Sequence, residues 1–213
     1  MGGVAEPTSK DQLERALDAE ARRLFSELET HGEAGHRLTA WRDGWAQATA
    51  RFGWASPIGR LEVLSGLSDL VAASGADAVT FVSDVTFLVL EAGESATGVR
   101  PSLDPRAGNA LVGVALSGGR VVARGAVAYG VGDDGQITPQ PWPHQLDVGA
   151  TLGGEIVDRL MQALDRARLH PAGDAEHLRA ALGRLARWRA LVEIDATLEA
   201  RLFAGPTTGL TAL

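Results

Sequence analysis

The sequence predicts an α+β fold. Its centre is an antiparallel β-meander of three to four strands covered by helices, with a helical N-terminal segment and a long C-terminal helix. Three observations predict it. Apolar residues recur at helical spacing over residues 9–75 and again from about residue 148. The stretch between them is rich in β-branched residues. Turn signals with glycine punctuate that middle stretch, which is the mark of hairpins rather than crossovers.

Ser9 followed by Gln12 is a capping-box pattern, and Leu13, Leu17, Ala21, Leu24 and Leu28 continue it as one helical stripe. The stripe stops at Thr30-His31-Gly32. A second helix is predicted over residues 35–52, with Leu38, Trp41, Trp45, Ala48 and Phe52 along one face. Ser56-Pro57 opens a third, since serine caps and proline suits the first turn. Ile58, Leu61, Leu64, Ser68 and Val71 run down it, and Gly75 ends it.

Residues 78–91 then read as a strand, with Ser83-Asp84 as a bulge or turn within it. Residues 110–116 and 120–131 flank Ser117-Gly118-Gly119 and form a hairpin. Val121, Val127, Tyr129 and Val131 are expected on one face of its second strand. Asp133-Asp134-Gly135 turns the chain again, and residues 136–138 pair back. The connection over 93–108 lacks apolar periodicity and is long enough to cross over, and such connections are usually functional. A helix from 148 or 149 to 168 follows. Asp174 then caps a last helix to about Phe203, roughly 45 Å long at ~1.5 Å per residue.

The chain divides on this reading into a helical segment 1–56, an α+β core 57–168 and a C-terminal helix with tail, 169–213. Helices are expected on one side of the sheet. GAF-like and profilin-like sensor domains share this broad shape, a likeness of architecture that no sequence motif here carries.

Composition narrows the function classes. Of 213 residues, 45% are hydrophobic and 22% charged, which excludes a disordered or collagen-like chain. The absence of cysteine removes disulfides, thiolate catalysis and cysteine-ligated metals. The net charge of −7 is concentrated at residues 57–148, which carry 5 basic and 10 acidic groups. An acidic middle argues against a nucleic-acid partner, whose phosphates need clustered positive charge. The N-terminus has no signal-peptide pattern and no apolar run approaches a membrane span, so the expectation is a cytoplasmic protein with no membrane partner. The length of the last helix suggests a homodimer.

No catalytic motif is legible. The five histidines have no metal-ligand spacing; His31, Glu33 and His36 form a polar turn rather than a metal site, and no metal or cofactor is named by the sequence. His144 stands out, because it follows Trp142 in a proline-rich segment and precedes Asp147. An imidazole beside a carboxylate is a candidate acid–base pair. Two readings follow. The first is a small-ligand-binding or regulatory protein, its ligand lined by Trp142 and Tyr129 and contacted by Arg100 and Arg106 from the long loop. The second is a small metal-independent hydrolase, lyase or isomerase in which His144 acts with Asp147, or with Asp84 or Glu91.

Overall fold

The computed structural model describes residues 7–54, 56–91, 93–95, 100–143 and 154–203. Ser9 caps helix α1 (Lys10–His31), its hydroxyl accepting from the Gln12 amide at 3.3 Å. The Gln12 carboxamide does not close the capping box. It donates instead to the Gly44 carbonyl and ties the helix start to a neighbouring turn. Leu13, Leu17, Leu24 and Leu28 are buried, as their spacing predicts. Gly32 ends the helix with φ +73 and an amide bond to the Leu28 carbonyl.

Residues 35–52 do not form the predicted second helix. They form an antiparallel hairpin of β1 (His36–Arg42) and β2 (Trp45–Phe52). Asp43 and Gly44, with φ +51 and +79, make the left-handed turn that matches strand twist. Leu38, Ala40, Ala48, Ala50 and Phe52 alternate onto the core. Several of these positions also satisfy a helical stripe, which is why period alone misleads here.

Helix α2 (Pro57–Ala73) starts where predicted, with the Ser56 hydroxyl accepting from the Gly59 amide at 3.0 Å. Leu64, Ser68 and Val71 are buried as expected, but the first two expected positions are not. Val63, Leu64, Leu67, Leu70 and Val71 are inside, whereas Ile58 and Leu61 are exposed. The meander follows: β3 (Ala78–Phe87), β4 (Gly108–Ser117), β5 (Arg120–Val131) and β6 (Ile137–Gln140). Ser83 and Asp84 stay in register with Val112 and Leu111, so no bulge or turn falls there. The connection after β3 contains a 3-10 turn at Pro101–Leu103 and does not cross over, because β4 is the immediate neighbour of β3.

The irregularity lies in β5 instead, where register shifts between Ala115 and Leu116 of its partner. It parts residues expected together. Val121 packs into the larger core, while Tyr129 faces α1. An extra residue in one strand inverts the alternation beyond it.

The whole sheet has seven strands in the order β6-β5-β4-β3-β1-β2-β7, every neighbouring pair antiparallel. The predicted meander is its β3–β6 part; the misread hairpin and a C-terminal strand supply the rest. Helices cover both faces, not one. α1 lies against β3, β4 and β5 on one side. On the other side α2 packs between α3 (Gly154–Leu169) and α4 (Ala175–Arg187). Residues 148–153 of the predicted α3 start lie outside the described residues.

The last helix is broken. Asp174 caps α4 as expected, accepting from the amides of Glu176 and His177 at 3.0 Å each. The helix ends at Arg187, and the chain continues as β7 (Leu191–Ile194) and α5 (Ala196–Phe203). The break is a complete Schellman turn: the Ala190 amide bonds the Leu185 carbonyl and the Arg189 amide bonds that of Ala186. No 45 Å helix protrudes, so none is left to require a subunit contact. The segments 1–56, 57–168 and 169–213 all contribute strands to one sheet.

Candidate functional site

Among the described residues, Tyr129, Trp142, Arg100 and Arg106 are not brought together at one site. Tyr129 is buried beneath α1, its ring edge-on to Phe25 and its hydroxyl donating to Asp84 Oδ1 at 2.7 Å. Burial raises the pKa of both groups; the shared hydrogen bond raises Tyr129 further and partly offsets the effect on Asp84. Trp142 packs against Phe87 on the opposite face of the sheet, with ring centroids 5.4 Å apart. Arg106 is engaged by Asp104 at 2.9 Å and Glu94 at 3.1 Å, so its guanidinium already holds two carboxylates. Arg100 is exposed at the start of the 3-10 turn, and Glu91 is exposed beyond β3. His144 and Asp147 lie outside the described residues.

A different constellation forms where β1 begins, β2 ends and β3 runs past both. His36 is the first residue of β1 and stands opposite Phe52 on β2. Ser83 is on the same inward face of β3 as Phe81, because strand residues two apart share a side. His36 Nδ1 and Ser83 Oγ are 2.7 Å apart, with the side chains 8% and 2% exposed. Beyond the strand end, Trp54 stacks on the His36 ring at 4.1 Å and 28°. Phe52 closes the cluster at 5.5 Å from His36 and 5.1 Å from Trp54. Arg60, in the first turns of α2, lies 5.7 Å from the Trp54 ring centroid. Gly35 is required at the entry, since a Cβ there would meet the Phe52 carbonyl oxygen at 2.9 Å.

The environment sets the chemistry of the imidazole. Burial, helped by the nearby Arg60 charge, pushes the His36 pKa down to about 4. The ring is therefore neutral near pH 7. Among the described residues no hydrogen bond engages its Nε2.

His36 and Trp54 form part of the wall of an open groove of about 560 Å³. The end of α1 supplies His31 and Glu33, the end of β2 supplies Arg51, Phe52 and Gly53, and the α4–β7 turn supplies Arg189 and Leu191. Glu27 also lines it, but its carboxylate is held by Arg51, with both oxygens at 3.0 Å from Nη2. A smaller opening on the other side of Trp54 is lined by Ser56, Pro57 and Arg60. Trp54 thus borders both.

Ser83 is buried within a paired strand, and no carboxylate is bonded to the imidazole among the described residues. An imidazole with a pKa of about 4 is also a weak base near neutral pH. Among the described residues there is no cluster of three or more metal-ligating side chains, and no helix is long and apolar enough to cross a membrane.

The sequence reading missed this site because it placed His36, Trp41 and Phe52 on a helix. Two signals pointed to it. Asp43-Gly44 is a two-residue turn signal between two short runs that each hold alternating apolar residues, and a hairpin there brings His36 opposite Phe52. Ser83 is also the polar exception in an alternating run of Val79, Phe81, Val85 and Phe87. Comparison with known protein families, curated proteins and solved structures finds no match to this chain.

Proposed function

We propose that the protein is a binding or regulatory module that seats a small molecule in the groove beside His36 and Trp54. The carrying observation is a neutral imidazole fixed by Ser83 and stacked on Trp54 at the wall of that groove, with Nε2 left for a ligand. A ring held in one orientation by packing and one hydrogen bond is pre-organised, which lowers the entropy lost on binding. The aromatic wall with a few polar groups is the composition of ligand clefts generally.

A thermal-shift screen against a metabolite library tests this. A ligand at about 100 times its Kd adds about 2.7 kcal/mol of stability, a rise of roughly 5–10 °C for a chain of this size. The rise is expected to vanish in Trp54→Ala and to persist in Trp45→Ala, since Trp45 is exposed at the opposite end of its strand. A library with no stabilising compound, or a shift that survives both Trp54→Ala and His36→Gln, overturns the proposal.

A further inference from the structure

Three helix ends show what is unusual about the groove. α1 ends on Gly32 at φ +73, and α2 closes on Gly75 at φ +65. α4 closes with the same type of turn, yet the left-handed residue is Arg189, at φ +59. Glycine is the residue that adopts this conformation without steric cost; a side chain there is strained. Backbone closure alone does not call for arginine at this position. What Arg189 adds is a guanidinium on the groove wall.

The other charges of the groove divide into committed and uncommitted groups. Arg51 is held by Glu27. Arg189 has no hydrogen bond or ion pair from its side chain among the described residues. Arg60 lies outside the groove, in the smaller opening across Trp54, with its guanidinium over the Trp54 ring. On the α1 side the exposed groups are His31 and Glu33. The groove therefore carries one guanidinium, that of Arg189, with no partner among the described residues, on a wall that also holds Trp54 and His36.

We infer that the ligand of this groove is a planar aromatic molecule bearing an anionic group, with Trp54 and His36 contacting its ring and Arg189 its charge. This rests on the reading of the groove as a binding site given above. Guanidinium suits the task, because its planar fork matches a carboxylate or phosphate and it also stacks on rings. Glu33 disfavours the anionic end on the α1 side, which orients the molecule with its charge toward Arg189.

Calorimetric titration with three probes of one ring system tests the inference: 2-naphthoate, 2-naphthamide and 2-(aminomethyl)naphthalene. Naphthoate is expected to bind at least about tenfold more tightly than the amide, the order of a charge-assisted hydrogen bond. Arg189→Gly keeps the turn, relieves its strain and removes the guanidinium; it should abolish that preference, so that acid and amide bind alike. Equal binding of acid and amide, or tightest binding of the amine, overturns the charge assignment and leaves the binding reading standing. Failure of all three probes in this assay, together with a silent metabolite screen, overturns both.

Discussion

His36 has a titration that stability measurements can read. Its folded pKa of about 4 lies below the ordinary 6.5, so the unfolded chain takes up the proton first. The contribution is fully present above about pH 6.5 and is lost as the pH falls to about 4, amounting to about 3 kcal/mol. Glu20 and Asp84 act in the opposite sense. Burial raises both carboxyls, so they favour the folded state at low pH and lose that contribution as the pH rises through their folded values. His36→Gln isolates the imidazole. Urea unfolding of both proteins is expected to show the wild type losing about 3 kcal/mol relative to the variant between about pH 7 and pH 4. A difference that does not change with pH would mean that the ring is not buried as the neutral form. The same α1 face holds Arg37, 7% exposed, whose Nε is 3.2 Å from Glu20 Oε2 without a straight hydrogen bond. Thr39 donates to the other Glu20 oxygen at 2.7 Å, so one carboxylate is shared by two strand residues.

Between elements, two glycines separate packing from turn conformation. A Cβ at Gly75, φ +65, would meet the Pro171 carbonyl oxygen at 2.6 Å, where backbone of the α3–α4 link crosses the end of α2. A Cβ at Gly118, φ +62 in the β4–β5 turn, meets nothing closer than 4.0 Å. Gly75→Ala is therefore expected to cost about 2–3 kcal/mol and Gly118→Ala about 1 kcal/mol, measured by chemical denaturation. Equal costs would show that conformation alone matters at Gly75. Several elements were legible in advance. Ser9, Ser56 and Asp174 are caps in sequence and in structure, because a side-chain oxygen before a helix satisfies a local amide whatever packs outside. The Ser117-Gly118-Gly119 hairpin was legible for the same local reason. The 35–52 hairpin was not, since its apolar positions fit two periods and only Asp43-Gly44 decides between them. The break at Arg189 was hidden as well, because a residue with a side chain fills a position that glycine normally announces. Tertiary pairing of β7 with β2 sets that break, and a local pattern carries no record of a partner so far away in sequence.

Across the whole molecule the sheet joins both ends of the chain, as β1 lies between β3 and β2, and β7 completes the edge. A clamp at Asp77 adds to this: its carboxylate accepts from Thr8 Oγ1 at 2.7 Å and from the Asp43 amide at 3.1 Å. Unfolding is accordingly expected to be one transition, with tryptophan fluorescence and far-UV circular dichroism giving coincident midpoints. Trp41 lies on the α1 side of the sheet and Trp54 and Trp188 on the other, so a separately melting layer would split the curves. The groove was invisible in sequence at this scale, because its wall is assembled from α1, β1, β2 and the α4–β7 turn. The placement of β7 has a further consequence for synthesis. Arg51 and its neighbours on β2 leave the ribosome long before Leu191 to Ile194, their only partner on that side. At about 5–20 residues per second, the nascent chain carries an unpaired strand edge for on the order of ten seconds. Exposed Trp45 and the Ala48–Arg51 backbone stay open on that edge until the last strand emerges, while α1, made earlier, already offers Glu27 to Arg51.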